Sequence, residues 1–136
     1  MSRFNKIDHL GIAVPNLEEA IATYTTLFGV GPSHMEEVED QGVMTAFFDL
    51  GESHFELLGV TKPSSPIARY LLRVPKGGLH HVCVEVDDID AALAEYRDKG
   101  LRLIDEQPRQ GAHGKLIAFI HPASTGGVLL ELSQTL

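Results

Sequence analysis

The 136-residue sequence predicts an α+β fold of two tandem βαβββ modules, on three observations. First, a segment recurs. His9 to Ala20 reads His-Leu-Gly-Ile-Ala-Val-Pro-Asn-Leu-Glu-Glu-Ala, and His81 to Ala92 reads His-Val-Cys-Val-Glu-Val-Asp-Asp-Ile-Asp-Ala-Ala. Each is an apolar-alternating strand that begins at a histidine, then an acidic turn, then the start of an amphipathic helix. Second, the two helices close alike, at Phe28-Gly29 and Lys99-Gly100, with glycine where a helix C-cap favours it. Third, each half ends in a strand with one isolated carboxylate, in Phe55-Glu56-Leu57-Leu58 and Leu130-Glu131-Leu132-Ser133.

The first module, about residues 5–62, is expected to place strands near 5–14, 33–38, 43–50 and 53–60 and a helix near 16–28. Residues 65–74 are apolar at helical spacing and follow the turn and cap residues Lys-Pro-Ser-Ser-Pro, so they predict a connecting helix. The second module, about 78–135, is expected to hold strands near 79–86, 101–105, 115–121 and 127–134 and a helix near 88–99. Units of about 60 residues bury little core alone. The two modules are therefore expected to form one domain, spanning 1–136.

Composition narrows the function. Hydrophobic residues make up 43% and charged residues 22%, ordinary for a soluble globular chain. No stretch approaches the roughly 20 apolar residues of a membrane span. The start, MSRFNKIDH, lacks the apolar core of a secretory signal and leaves no room for a transit peptide before the first strand. Cys83 is the single cysteine, which excludes an internal disulfide and suits a reducing cytosol. A net charge of −8 argues against nucleic acid as a partner, though not against a small phosphorylated ligand.

The repeat puts His9 and His81 at equivalent points of two first strands, and Glu56 and Glu131 at equivalent points of two last strands. Imidazole and carboxylate together suit one divalent ion such as Zn²⁺, Co²⁺, Mn²⁺ or Ni²⁺. Four such ligands leave positions for one or two substrate oxygens on a six-coordinate ion. Singly, a strand histidine is most often a core or surface residue, and a glutamate between leucines a solvent-facing one. Recurrence of both in register makes the metal-binding reading the stronger. His80 points to the opposite face from His81, so only one can join the site, and alignment with His9 selects His81. His34, His54, His113 and His121 have no repeat partner; His113 stands out by its glycine-rich loop.

These residues resemble the vicinal oxygen chelate superfamily, which includes glyoxalase I, extradiol dioxygenases and methylmalonyl-CoA epimerases. The resemblance is closer to the epimerases and runs over nearly the whole chain. It is carried by Asp8-His9-Leu10-Gly11-Ile12-Ala13-Val14, Ser65-Pro66-Ile67-Ala68, Gly78-Leu79-His80-His81-Val82, Gly111-Ala112-His113-Gly114-Lys115, His121-Pro122 and Gly126-Gly127-Val128-Leu129-Leu130-Glu131-Leu132. The resemblance implies a sheet that curls around one metal ion, a homodimer, and interconversion of (R)- and (S)-methylmalonyl-CoA by proton abstraction at C2 through a metal-stabilised enolate. It implies His9, Glu56, His81 and Glu131 as metal ligands, with Gln at the position of Glu56 in some relatives. It also gives Glu131 a catalytic role as base.

Some epimerases carry a second glutamate three residues after the glycine of a Gln-Gly pair. Here the pair is Gln41-Gly42 and the residue is Thr45, whose hydroxyl is a poor base. By symmetry with Glu131, Glu56 is expected to act on the opposite face. Lys115 and Gly114 are expected contacts for the coenzyme A part, with Arg69 or Arg73 reaching its nucleotide. The alternatives are a glyoxalase I-type lactoylglutathione lyase and a non-catalytic small-molecule-binding protein of the bleomycin-resistance type. A dioxygenase is a weaker fit, because Glu56 adds a ligand to the two histidines and one carboxylate it needs.

Overall fold

The computed structural model describes residues 3–136. Its elements run β1 (Phe4–Ala13), α1 (Leu17–Phe28), β2 (His34–Val38), β3 (Val43–Leu50), β4 (Ser53–Val60), α2 (Pro66–Arg73), β5 (Gly78–Val86), α3 (Ile89–Asp98), β6 (Arg109–Gln110), β7 (Leu116–Ile120) and β8 (Leu130–Gln134). Single 3-10 turns occupy Glu39–Gln41, Ala112–Gly114 and Pro122–Ser124. The chain divides into a central unit, Leu10–His80, and a terminal unit, which joins the residues up to His9 to His81–Leu136. The division falls inside β1 and β5.

In the central unit the strand order is β2-β3-β4-β1. β2 with β3 and β3 with β4 are antiparallel, in a register that sets Glu36 opposite Thr45 and Phe47 opposite Glu56. The Val14 N–H donates to the Leu58 carbonyl at 3.1 Å, seating the end of β1 beside β4. Helix α1 starts where the Asn16 side chain accepts from the Glu19 N–H, and stops where Gly29 takes φ 77° and donates to the Thr25 carbonyl. Its apolar residues Leu17, Ala20, Ile21, Tyr24 and Phe28 fall on one helical stripe. They pack on Val14, Ala46, Phe48 and Leu57. Ala13, Val43 and Leu58 pack instead with Ile67 of α2. Because successive strand residues alternate, Leu57 and Leu58 face opposite ways. Glu56 shares the face of Leu58, away from α1.

The terminal unit repeats that order as β6-β7-β8-β5. β5 and β8 are parallel, with Cys83 opposite Glu131, and β7 runs antiparallel to β8, with Phe119 opposite Glu131. Helix α3 is capped by Asp88, which accepts from the Ala91 N–H, and the Gln134 side chain accepts from the Ile89 N–H at 2.8 Å. Ile89, Ala92 and Leu93 of α3 bury against Val86, Ala118, Ile120 and Leu132. Each large aliphatic side chain buried there contributes about 1.5–3 kcal/mol. Alternation then leaves Glu131, Phe119, Cys83 and His81 on the face of the sheet turned away from α3.

The expected strand at 101–105 is not formed. Among the described residues its only ladder contact is an isolated bridge between Leu103 and Ile120, and the short strand in this place is Arg109–Gln110, paired with β7. Asp105 is the reason. Its carboxylate accepts the Phe119 N–H at 2.8 Å, while the Ile104 and Asp105 N–H groups both donate to the Phe119 carbonyl. A side chain has replaced the backbone partner that a regular ladder would supply. Similarly, β8 begins at Leu130 rather than near 127, because Gly126 and Gly127 take φ 73° and 97°, which are not strand conformations.

Candidate functional site

Strands β1 and β5 are neighbours, and within the terminal unit their contacts run in opposite senses. The Asp87 N–H donates to the Arg3 carbonyl, Asn5 reaches Glu85, and His9 meets His81. An antiparallel pair thus brings the two repeat histidines face to face. Strand β8, on the far side of β5, supplies Glu131. All three side chains are buried, with His9 at 8%, His81 at 6% and Glu131 at 4% exposure.

Their donor atoms form a nearly equilateral triangle. His9 Nε2 lies 3.0 Å from His81 Nε2, and Glu131 Oε1 lies 3.1 Å from each of them. Despite this closeness Glu131 Oε1 meets no N–H along a hydrogen-bonding direction. A buried carboxylate oxygen without such a partner is costly unless something else satisfies it. A cation does so: for metal–ligand bonds of about 2.1 Å, donors at right angles stand about 3.0 Å apart, and tetrahedral donors about 3.4 Å. The triangle therefore fits one divalent ion, with donors arranged as on one face of an octahedron. Two imidazoles and a carboxylate are also a donor set that first-row ions accept.

The electrostatics agree. Burial pushes the Glu131 carboxyl up, but His81 and His9 outweigh it and hold the pKa at about 2. Burial opposes charge on His9 as well; Asp8, Cys83 and Glu131 overcome that and raise its pKa well above the ordinary value. A position that favours positive charge so strongly is one a cation can fill. Cys83, opposite Glu131, is fully buried, and burial with the nearby Glu131 charge drives its thiol up to about 12. It is therefore a neutral wall of the site rather than a thiolate.

Two residues that the metal reading did not single out complete the surroundings. Asp8 Oδ2 lies 2.8 Å from His9 Nδ1, and its other oxygen lies 2.5 Å from Lys115 Nζ. Burial pushes the Asp8 carboxyl up, but the His9 and Lys115 partners prevail and keep it well below the usual carboxylate range. Its place beside His9 in the chain did not mark it, because neighbours on a strand point to opposite faces; only the fold shows the carboxylate against the ring. Phe119 packs edge-on to His81, with ring centroids 5.6 Å apart, and the Arg109 guanidinium sits 5.7 Å above the Phe119 ring. No sequence signal marks it, because an apolar strand residue looks the same wherever it points.

The other expected residues fall as follows. Glu56, on β4 of the central unit, is 5% exposed, and Thr45 on β3 is 2% exposed. Lys115 is paired with Asp8, and Gly114 is an exposed residue with φ 68° at the end of its 3-10 turn. Arg69 and Arg73 are exposed on α2. His80 packs edge-on against Tyr70, with ring centroids 5.1 Å apart. His34 lies by Glu36, His54 by Asp49, and His121 accepts the Ala123 N–H. His113 is the one described non-glycine residue with positive φ, at 59°.

Comparison with known proteins places this geometry in a family. The model of the Glyoxalase/Bleomycin resistance protein/Dioxygenase superfamily matches residues 8–119. The chain is 42% identical over 129 residues to the mitochondrial methylmalonyl-CoA epimerase of Homo sapiens, covering 95% of this chain and 73% of that protein. It is 40% identical over 130 residues to an ethylmalonyl-CoA/methylmalonyl-CoA epimerase of Cereibacter sphaeroides, covering 95% of this chain and 97% of the other. Among solved structures, a methylmalonyl-CoA epimerase in complex with methylmalonyl-CoA and NH4+ superposes with a TM-score of 0.92 at 34% identity, over 98% of this chain and 96% of that one.

Proposed function

The chain belongs to the methylmalonyl-CoA epimerases of the Glyoxalase/Bleomycin resistance protein/Dioxygenase superfamily, and from that membership we propose that it interconverts (R)- and (S)-methylmalonyl-CoA with the help of one bound divalent ion. The observation that carries the metal-dependent reading is the triangle of His9, His81 and Glu131. The same donors also serve non-haem iron oxygenases. The epimerase relatives, similar over 95% of the chain, decide between the two chemistries.

The chemistry follows from the substrate. The C2 proton lies between a thioester and a carboxylate and is too weakly acidic to leave unaided near neutral pH. His9, His81 and Glu131 would hold an ion of Co²⁺, Zn²⁺, Mn²⁺ or Ni²⁺, whose positive charge would stabilise the enolate character that develops as that proton leaves. Glu56 is carried into this proposal as the fourth donor.

Inversion at C2 needs a proton removed from one face and returned to the other. Glu131 is the proposed base on one face, its carboxylate kept ionised by His81 and His9 beside it. Glu56 serves the opposite face, since Thr45 offers only a hydroxyl. A positioned base is worth typically ~10²–10⁴-fold in rate. The neutral Cys83 and the apolar Phe119 ring add no competing base beside Glu131. We further propose that Gly114 meets the coenzyme A part of the substrate, that two copies of the chain pair, and that the enzyme works in the cytosol, where the lone thiol Cys83 stays reduced.

The test is epimerisation in deuterium oxide. Purified protein should exchange the C2 proton of methylmalonyl-CoA and interconvert its epimers, lose both activities on chelation, and regain them with Co²⁺. Full activity in the stripped protein overturns the metal role. Turnover of the methylglyoxal–glutathione adduct instead of methylmalonyl-CoA would make the enzyme a lactoylglutathione lyase, and binding without turnover a sequestering protein.

A further inference from the structure

Lys115 lies in a glycine-rich loop, where its charge suits a phosphate or carboxylate of the substrate. The structure directs it inward. Its side chain is only 16% exposed, and its ammonium lies 2.5 Å from Asp8 Oδ1. Asp8 in turn is 3% exposed, and its second oxygen lies 2.8 Å from His9 Nδ1. The connection Lys115–Asp8–His9 therefore ends at Nε2, the atom that stands at the corner of the triangle.

The geometry points to Lys115 and Asp8 as positioning residues for His9: together they fix the imidazole with its proton on Nδ1 and its Nε2 lone pair directed at the centre of the site. This rests on the reading of His9 as a metal ligand. Imidazole has one proton to place in its neutral form, and the nitrogen that holds it is set by the partner of the other nitrogen. A carboxylate next to Nδ1 accepts a hydrogen bond from the Nδ1–H and leaves Nε2 as the nitrogen with the free lone pair. A lone buried carboxylate would itself be expensive and would be free to rotate. Lys115 removes both problems, because its ammonium compensates the charge and holds Oδ1 while Oδ2 faces the ring. The loop lysine thereby acts on the metal side of the site through a carboxylate, with no contact to substrate required.

This differs measurably from a coenzyme A contact. Lys115→Met keeps the stem and deletes the charge; Asp8→Asn keeps the shape and deletes the anion. Metal-free protein is titrated with Co²⁺, followed by its visible absorption, and ¹⁵N chemical shifts, recorded at a pH high enough that the ring is neutral, report the tautomer of His9. The expected result is Co²⁺ affinity weakened about 10- to 100-fold in both variants. In Asp8→Asn the His9 proton should also redistribute between the two nitrogens. Lys115→Arg should restore most of the affinity. With Co²⁺ saturating, the KM for methylmalonyl-CoA should stay within about twofold of the unaltered protein, since uniform substrate binding is untouched.

Unchanged Co²⁺ affinity with a raised KM overturns the positioning role and returns Lys115 to the substrate. If Lys115→Met does not fold, Asp8→Asn decides the same question. Absence of Co²⁺ binding by the unaltered protein is a different failure: it removes the metal reading itself, and the inference with it.

Discussion

His9 Nε2 and His81 Nε2 stand 3.0 Å apart, a distance at which the two atoms cannot both carry a proton. At least one lone pair therefore faces the triangle centre, and a cation bound by both requires the second lone pair as well. The proton that must leave gives the site its pH behaviour.

Metal affinity should rise with pH. The His9 pKa is raised, so in metal-free protein the charged imidazole persists above its ordinary 6.5. The stability it adds to the metal-free fold is full below the unfolded value and is lost as pH rises through the raised one. Binding has the opposite sign, because the ion displaces that proton. Co²⁺ affinity should increase by about tenfold per pH unit until His9 is neutral, with about one proton released. Titration calorimetry in buffers of different ionisation enthalpy checks this. A flat affinity across about pH 6 to 9 contradicts it.

Removing a corner of the triangle should abolish metal retention. His81→Ala and Glu131→Ala should each purify with little metal and lose about 10²–10³-fold or more in epimerisation. Metal analysis beside the activity assay gives the answer. Wild-type metal content in both variants would place the ion elsewhere.

Glu56→Gln separates the faces of C2. If Glu56 serves one face, solvent deuterium incorporation should fall by about 10²–10⁴-fold for one epimer and much less for the other. Measuring exchange from each epimer separately is sufficient. Equal and near-wild-type exchange from both excludes Glu56 as the second base.

Gly77 offers a test of the fold apart from the chemistry. It takes φ +79°, and a Cβ there would sit 2.1 Å from the Ala13 carbonyl oxygen. Gly77→Ala should destabilise the protein by about 3 kcal/mol or more, combining left-handed strain with backbone overlap. Urea unfolding measures it; a loss under about 0.5 kcal/mol is incompatible with this close approach.

Much of this was legible because repetition and alternation are strong signals. The two helix–strand frames, the connecting helix and the choice of His81 over His80 follow from periodicity and internal alignment. What was not legible depends on partners distant in sequence. Residues 101–105 carry strand-like composition, yet Asp105 uses its carboxylate where a backbone carbonyl was expected. Lys115 reads as a contact for the coenzyme A part of the substrate until the fold brings it to Asp8. Phe119 is one apolar residue among several on β7, and only the register opposite Glu131 reveals its place beside His81.

The terminal unit takes its first strand from the opening residues of the chain and Glu131 from its last strand. During synthesis, His9 emerges from the ribosome long before Glu131 has been translated. Contacts so remote in sequence form late and slowly. The triangle is thus complete only in the finished protein, and any ion it holds would be drawn from those that the folded chain meets.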